Sequence, residues 1–198
     1  MDSDNPSLYV TNGVLCSKHG NVLLRCPPTL ERVIVPADVQ RIGGTAFAEC
    51  SRLRELRLGP ALQEIGYAAF RNCEGLSSLE IPEGVTNIEH SAFWGNVNLR
   101  SVRLPSGLKK LGYSAFHGCS NLEKIVLPAG LERIDGLAFM GCEKLKEAVF
   151  LGGVEKVGDG LFVDCPALKR IRFSGARLGT SGWFNEENKA NVVIEVER

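Results

Sequence analysis

A period of 23 residues runs through most of this 198-residue chain and restricts it to very few folds. Six of its nine phenylalanines, Phe47, Phe70, Phe93, Phe116, Phe139 and Phe162, stand 23 apart without insertion or deletion. Ala46, Ala69, Ala92, Ala115 and Ala138 precede five of them, and Leu161 the sixth. Three residues after each ring come Cys50, Cys73, Asn96, Cys119, Cys142 and Cys165. Three further on come Leu53, Leu76, Leu99, Leu122, Leu145 and Leu168. Columns locked to one period define a repeat array, and one such unit cannot bury its own apolar face. Stacked units can, because equivalent side chains fall on one another and make a continuous core.

The unit reads L-x-x-L-x-L-P-x-x-V-x-x-I-G-x-x-A-F-x-x-C-x-x, and residues 99–121 (LRSVRLPSGLKKLGYSAFHGCSN) are a full copy. Alternation at Val102 and Leu104 marks a strand with one buried face, and Pro105 keeps it short. Leu108 and Leu111 read as apolar contacts in a turn-rich stretch. The G-x-x-A-F-x-x-C segment has room for one or two helical turns. Strand positions recur at 33–35, 56–58, 79–81, 102–104, 125–127, 148–150 and 171–173. Seven rungs at roughly 4.8 Å predict a parallel sheet on the order of 34 Å long. The expected class is therefore α/β: a solenoid of about seven rungs with short helical turns opposite its sheet. The Phe column should stack inside it.

The ends depart from the period. Residues 1–32 predict an N-terminal hairpin cap, since Asn12-Gly13 and His19-Gly20-Asn21 are turn signals between short apolar runs. Residues 33–173 hold the repeats. Residues 174–198 predict a second cap. There the glycines of 173–182 (FSGARLGTSG) serve as turns and 192–196 (VVIEV) as a final strand over the last edge.

These motifs resemble the BspA-like leucine-rich-repeat proteins of bacteria and some parasitic protists. L-x-x-L-x-L is the strand signature of leucine-rich repeats, and I-P-x-x-V-x-x-I-G-x-x-A-F-x-x-C looks like the 23-residue form. The match is best at 76–93 and 99–116 and covers about 33–173. Asn12 to Pro27 also looks like a segment that often precedes such repeats. The resemblance implies a right-handed solenoid with a curved parallel sheet. It also implies adhesion or protein binding, in several members to host matrix proteins, at an extracellular or cell-surface location. Members usually carry a secretion signal or an anchor; residues 1–7, MDSDNPS, are acidic and polar and look like neither.

Charge and motifs narrow the chemistry. Lys and Arg number 23 and Asp and Glu 23, a zero balance unlike that of a disordered chain or a generic nucleic-acid binder. No apolar run approaches the length of a membrane span. Five of the seven cysteines share one column, and parallel side chains on stacked rungs neither converge on a metal nor suit a disulfide. They read as buried reduced thiols bonded to loop carbonyls, with Asn96 donating at the same place. Cys16 and Cys26 lie in the N-terminal cap, where a bridge stays open. His19, His90 and His117 are dispersed, and no catalytic or nucleotide-binding motif occurs. The expectation is a non-enzymatic module without cofactor or metal.

Two surface patches are candidate contact sites. The second, third and fifth positions of L-x-x-L-x-L face outward. They collect ten basic residues, Arg32, Arg54, Arg57, Arg100, Arg103, Lys124, Lys146, Lys169, Arg170 and Arg172, and five acidic ones, Glu31, Glu55, Glu80, Glu123 and Glu147. This strip is 10 − 5 = +5, leaving 13 − 18 = −5 elsewhere. It would suit an acidic protein surface or a polyanionic glycan, unless its charges merely pair across strands. Opposite it, a helical reading of the turn segment places Tyr67, Arg71, His90, Trp94, Tyr113, His117 and Met140 on one stripe. Such residues are enriched at interfaces, though Trp94 and Met140 could also fold inward. A structural spacer without a ligand, and a carbohydrate-binding module using the aromatic stripe, remain open beside the binding module.

Overall fold

The computed structural model describes residues 7–19, 21–174, 182–185 and 192–197. Much of the C-terminal cap expected over 174–198, including the glycine turns at 175–181, lies outside them. So do residues 1–6 and 20 of the N-terminal cap.

The described chain opens with three antiparallel strands, β1 (Leu8–Thr11), β2 (Val14–Ser17) and β3 (Val22–Arg25). Asn12 and Gly13, at φ 49° and 79°, form the tight β1–β2 turn, a geometry that Asn-Gly adopts readily. The L-x-x-L-x-L segments then give a column of strands: β4 (Arg32–Ile34), β6 (Glu55–Arg57), β8 (Ser78–Glu80), β10 (Ser101–Arg103), β12 (Lys124–Leu127), β14 (Glu147–Phe150) and β16 (Arg170–Ser174). They pair in parallel as β4–β6, β8–β10 and β12–β14–β16, always offset by one repeat, as in Arg32↔Glu55 and Glu147↔Arg170. A last strand, β17 (Val193–Glu197), joins β16 in the same register.

The turn-rich stretch expected around Leu108 and Leu111 is a second strand column. It comprises β5 (Arg41–Ile42), β7 (Glu64–Ile65), β9 (Asn87–Ile88), β11 (Lys110–Leu111), β13 (Arg133–Ile134) and β15 (Lys156–Val157). Because β3 pairs with β5, the N-terminal hairpins extend this sheet to nine strands. Two-residue strands are too short for a period-two pattern to register in sequence.

The expected helical turns are absent: among the described residues there is no helix of any kind, and the fold is a three-sided β-solenoid. In a helix every N–H points along one axis toward the carbonyl four residues back. Here successive N–H groups alternate. Thr45, Phe47 and Glu49 donate across to the next rung, to the carbonyls of Tyr67, Ala69 and Arg71, at 2.7–2.8 Å. Ala46, Ala48 and Cys50 donate to carbonyls three residues back. The alternation needs left-handed backbone twice per rung, four residues apart: Thr45 and Glu49, Ala68 and Asn72, Ser91 and Gly95, Ser114 and Gly118, Leu137 and Gly141, Gly160 and Asp164. A right-handed helix cannot pass through such residues. Among the described residues no helix is long and apolar enough to cross a membrane.

One apolar cluster runs from Val14 to Trp183. The Phe column stacks through its centre, with consecutive centroids 4.7, 5.2, 5.0, 5.7 and 5.7 Å apart and planes within 21°. A second stack, Phe150 on Phe173 at 4.9 Å, meets buried Trp183 at the C-terminal end. Trp183 also turns its edge toward Phe162, while its carbonyl accepts the Phe162 N–H.

Candidate functional site

The strand alternation turns the predicted strip outward on every rung, but rungs one repeat apart bring opposite charges together. Arg32 meets Glu55 at 2.8 Å, and Arg57 meets the same carboxylate at 3.4 Å. Arg103 lies 2.9 Å from Glu80 and 3.5 Å from Glu83. Lys146 pairs with Glu123 at 3.0 Å. Lys124, Arg170 and Arg172 converge on Glu147, and both arginines also reach Glu195. The hydrogen bond from Lys124 holds the Glu147 carboxyl below its usual range, and Lys146 does the same for Glu123. Exposed pairs of this kind add little stability each, but they neutralise the cations that make them.

Arg54 and Arg100 differ. Among the described residues neither has a carboxylate within salt-bridge distance, and the same holds for Lys169. Arg54 and Arg100 occupy one column two rungs apart, with the small Ser77 between them. They flank a groove of about 630 Å³ that Glu31, Arg52, Glu74, Gly75 and Asn98 complete. Arg52 is paired with Glu31 at 2.8 Å, so the groove offers two guanidiniums without a salt bridge against the single remaining carboxylate of Glu74. Two of the strip's three cations without a salt bridge among the described residues, Arg54 and Arg100, thus share one groove.

On the turn side the stripe is two columns, because its helical basis is absent. Its contacts run from rung to rung and not four residues along the chain. In one column the Arg71 guanidinium sits 4.8 Å over the Trp94 ring, and Trp94 meets His117 edge-on at 5.9 Å. Trp94, His117 and Met140 are half-buried. Burial lowers the His117 pKa, opposed by the charge of Asp164. In the other column Tyr67, His90 and Tyr113 are exposed. His90 accepts the Tyr113 N–H at Nδ1, at 2.8 Å, and the same nitrogen lies 3.9 Å from Asp135.

The cysteine column is internal. Each thiol donates one rung back: Cys73 to the Phe47 carbonyl at 3.0 Å, Cys119 to Phe93 at 3.3 Å, Cys142 to Phe116 at 3.3 Å and Cys165 to Phe139 at 3.1 Å. Cys50 reaches the Cys26 and Pro27 carbonyls. Asn96 fills the same place with bonds to Phe70 and Phe93. All seven cysteines are free and buried. Burial pushes Cys119 and Cys165 up to about 12. Among the described residues no group of three or more His, Cys, Asp or Glu could hold a metal ion.

The family model for the BspA type leucine rich repeat region matches in six copies, over residues 21–146 and 63–189. The chain belongs to this family. The BspA-type solenoid is shared with solved bacterial structures. The T. pallidum leucine-rich-repeat protein TpLRR is 24% identical over 81% of this chain and 86% of that one, with a TM-score of 0.67. A leucine-rich-repeat protein of Eubacterium ventriosum is 23% identical over 98% of this chain and 49% of that one, at 0.68. The pneumococcal vaccine antigen PcpA is 22% identical over 100% of this chain and 49% of that one, at 0.56. Likeness at this identity shows the fold alone. The chain spans about half the length of the latter two. No curated protein matches the chain significantly.

Sequence reasoning passed over Arg133 and Asp135, although the BspA-type repeat itself carried the signal. The glycine of I-G recurs as Gly43, Gly66, Gly112 and Gly158 but becomes Glu89 and Asp135 in two rungs. Glycine suits the site because the chain packs tightly there: a Cβ on Gly158 would lie 2.2 Å from the Gly136 nitrogen. A carboxylate in that column is therefore a local departure from the packing rule.

Proposed function

We propose that this BspA-type chain is a non-enzymatic protein-binding module that meets an acidic partner segment on its first strand column. Arg54 and Arg100 carry this reading: among the described residues they make no salt bridge, and they are outward and adjacent across Ser77, while seven other cations of the strip are engaged by carboxylates. Arginine suits the role, since its planar fork binds carboxylate with two bonds and is weakly hydrated. The thiols support a non-enzymatic reading, because they are buried and their carbonyl bonds run along the core.

The test is an array of extracellular-matrix proteins and sulfated glycans probed with the wild type and two double variants. The Arg54→Glu, Arg100→Glu pair should lose at least about tenfold in affinity for the bound species. The Arg57→Glu, Arg103→Glu pair should lose less. Equal binding by all three proteins overturns the sheet-face reading. An array without any bound species favours a spacer.

A further inference from the structure

Rung five exchanges two neighbouring residues relative to rung four. Gly112-Tyr113 of the fourth becomes Asp135-Gly136 of the fifth. The aromatic column Tyr67, His90, Tyr113 therefore stops at a glycine, and a carboxylate appears one residue earlier. Both changes fall at the same place. Without a side chain on Gly136, the Tyr113 ring lies across it, its Cε2 3.5 Å from where a Cβ would sit. The ring stays 47% exposed. Tyr113, His90, Arg133, Asp135, Gly136 and Gly158 line a shallow pocket of about 500 Å³.

The chemistry of this pocket is mixed in a specific way. Its floor is glycine backbone and its wall an aromatic ring. Its polar groups are a carboxylate that is 9% exposed, the guanidinium of Arg133 bonded to it, and the His90 imidazole beside it. Asp135 can accept two hydroxyl protons, and Arg133 and His90 can donate, since His90 accepts at Nδ1 and so carries its proton on Nε2. Small-ligand sites set a few convergent polar groups beside apolar surface. A pyranose ring matches it, with a C–H face to lay on an aromatic ring and a rim of hydroxyls to bond in plane.

The geometry points to a saccharide-binding subsite at Tyr113 and Asp135, on the turn column and away from the arginine groove. Trp94, the larger aromatic of that side, does not serve, because Arg71 covers its face. The ring stacks on Tyr113, Asp135 takes two adjacent hydroxyls, and Arg133 fixes the carboxylate.

The test uses methyl glycosides of glucose, galactose, mannose and N-acetylglucosamine, each titrated into the isotope-labelled 198-residue chain and followed by amide chemical shift. At least one should shift Tyr113, Asp135 and Gly136 together. Tyr113→Ala and Asp135→Asn should each weaken that response at least about tenfold. Tyr67→Ala and the Arg54→Glu, Arg100→Glu pair should leave it intact, which separates this site from the sheet-face reading. Tyr113→Ala removes an exposed ring, so it serves even if Asp135→Asn does not fold. No response to any of the four glycosides, or one that survives both variants, overturns the proposal.

Discussion

The Asn96 amide donates to the Phe70 carbonyl one rung back at 2.7 Å, the place that a thiol fills on the neighbouring rungs. Its second proton goes to Phe93 at 2.8 Å, but its Oδ1 is buried without a hydrogen-bond partner. Asn96 is thus a cysteine position occupied by a side chain with one polar atom too many.

Asn96→Cys should therefore stabilise the chain. The new thiol keeps a donor for Phe70, and Phe93 retains the residue-96 N–H and the Cys119 thiol. Removing an unpaired buried acceptor is worth about 1–3 kcal/mol, offset in part by the lost amide bonds. A net gain of about 1 kcal/mol would raise Tm by roughly 2–4 °C in a chain of this size. Differential scanning calorimetry checks it; a lower Tm would show that the second amide bond outweighs the orphaned oxygen.

The thiols should set the alkaline limit of stability. Burial raises Cys119 and Cys165 from the ordinary value of 9.0 to about 12, and raises Cys73 and Cys142 as well. A group whose folded pKa is raised stabilises fully below its unfolded pKa and loses that share as pH rises toward the folded one. The urea midpoint should accordingly hold up to about pH 9 and fall progressively toward about pH 12. In Cys119→Ala with Cys165→Ala the fall should be shallower, from a lower starting stability. Parallel curves for variant and wild type would contradict the assignment.

Phe93 lies between Phe70 and Phe116, at 5.2 and 5.0 Å, and is fully buried. Phe93→Ala should cost about 3–5 kcal/mol by urea denaturation, from lost burial and the cavity left behind. Tyr67→Ala, which removes a side chain that is mostly in solvent, should stay within about 0.5 kcal/mol.

What could be read in the sequence follows from how far apart the deciding atoms lie. A fixed 23-residue column needs no coordinates, so the Phe stack was legible, as was the outward face of each strand. Pairing across strands stood there as an alternative, but which cations it would leave unpaired did not. Glu83 and Glu195 lie outside the three positions that define the strip, yet they engage Arg103, Arg170 and Arg172. Pairing across rungs needs side-chain reach, which a spacing does not supply. The pocket at Tyr113 needed Asp135 to be seen as a break in a glycine column, and it is a two-residue feature.

The helical expectation failed for a different reason. The column Glu49, Asn72, Gly95, Gly118, Gly141, Asp164 is rich in residues that accept left-handed backbone, and this was visible in sequence. The companion column Thr45, Ala68, Ser91, Ser114, Leu137 and Gly160 carries the same sign of φ, and all but Gly160 are residues that show no such preference. There the rung-to-rung hydrogen bonds impose a conformation that local propensity does not favour.

Gly118→Ala tests that turn ladder, and with it the column alignment on which both proposed binding faces rest. Gly118 has φ +70°, and a Cβ there would meet nothing closer than 3.8 Å, so the substitution reports backbone conformation and not a clash. The β-solenoid predicts a loss of about 1–2 kcal/mol in urea denaturation, the cost of a left-handed residue bearing a side chain. A gain of about 1 kcal/mol, the benefit of alanine over glycine inside a helix, would contradict it.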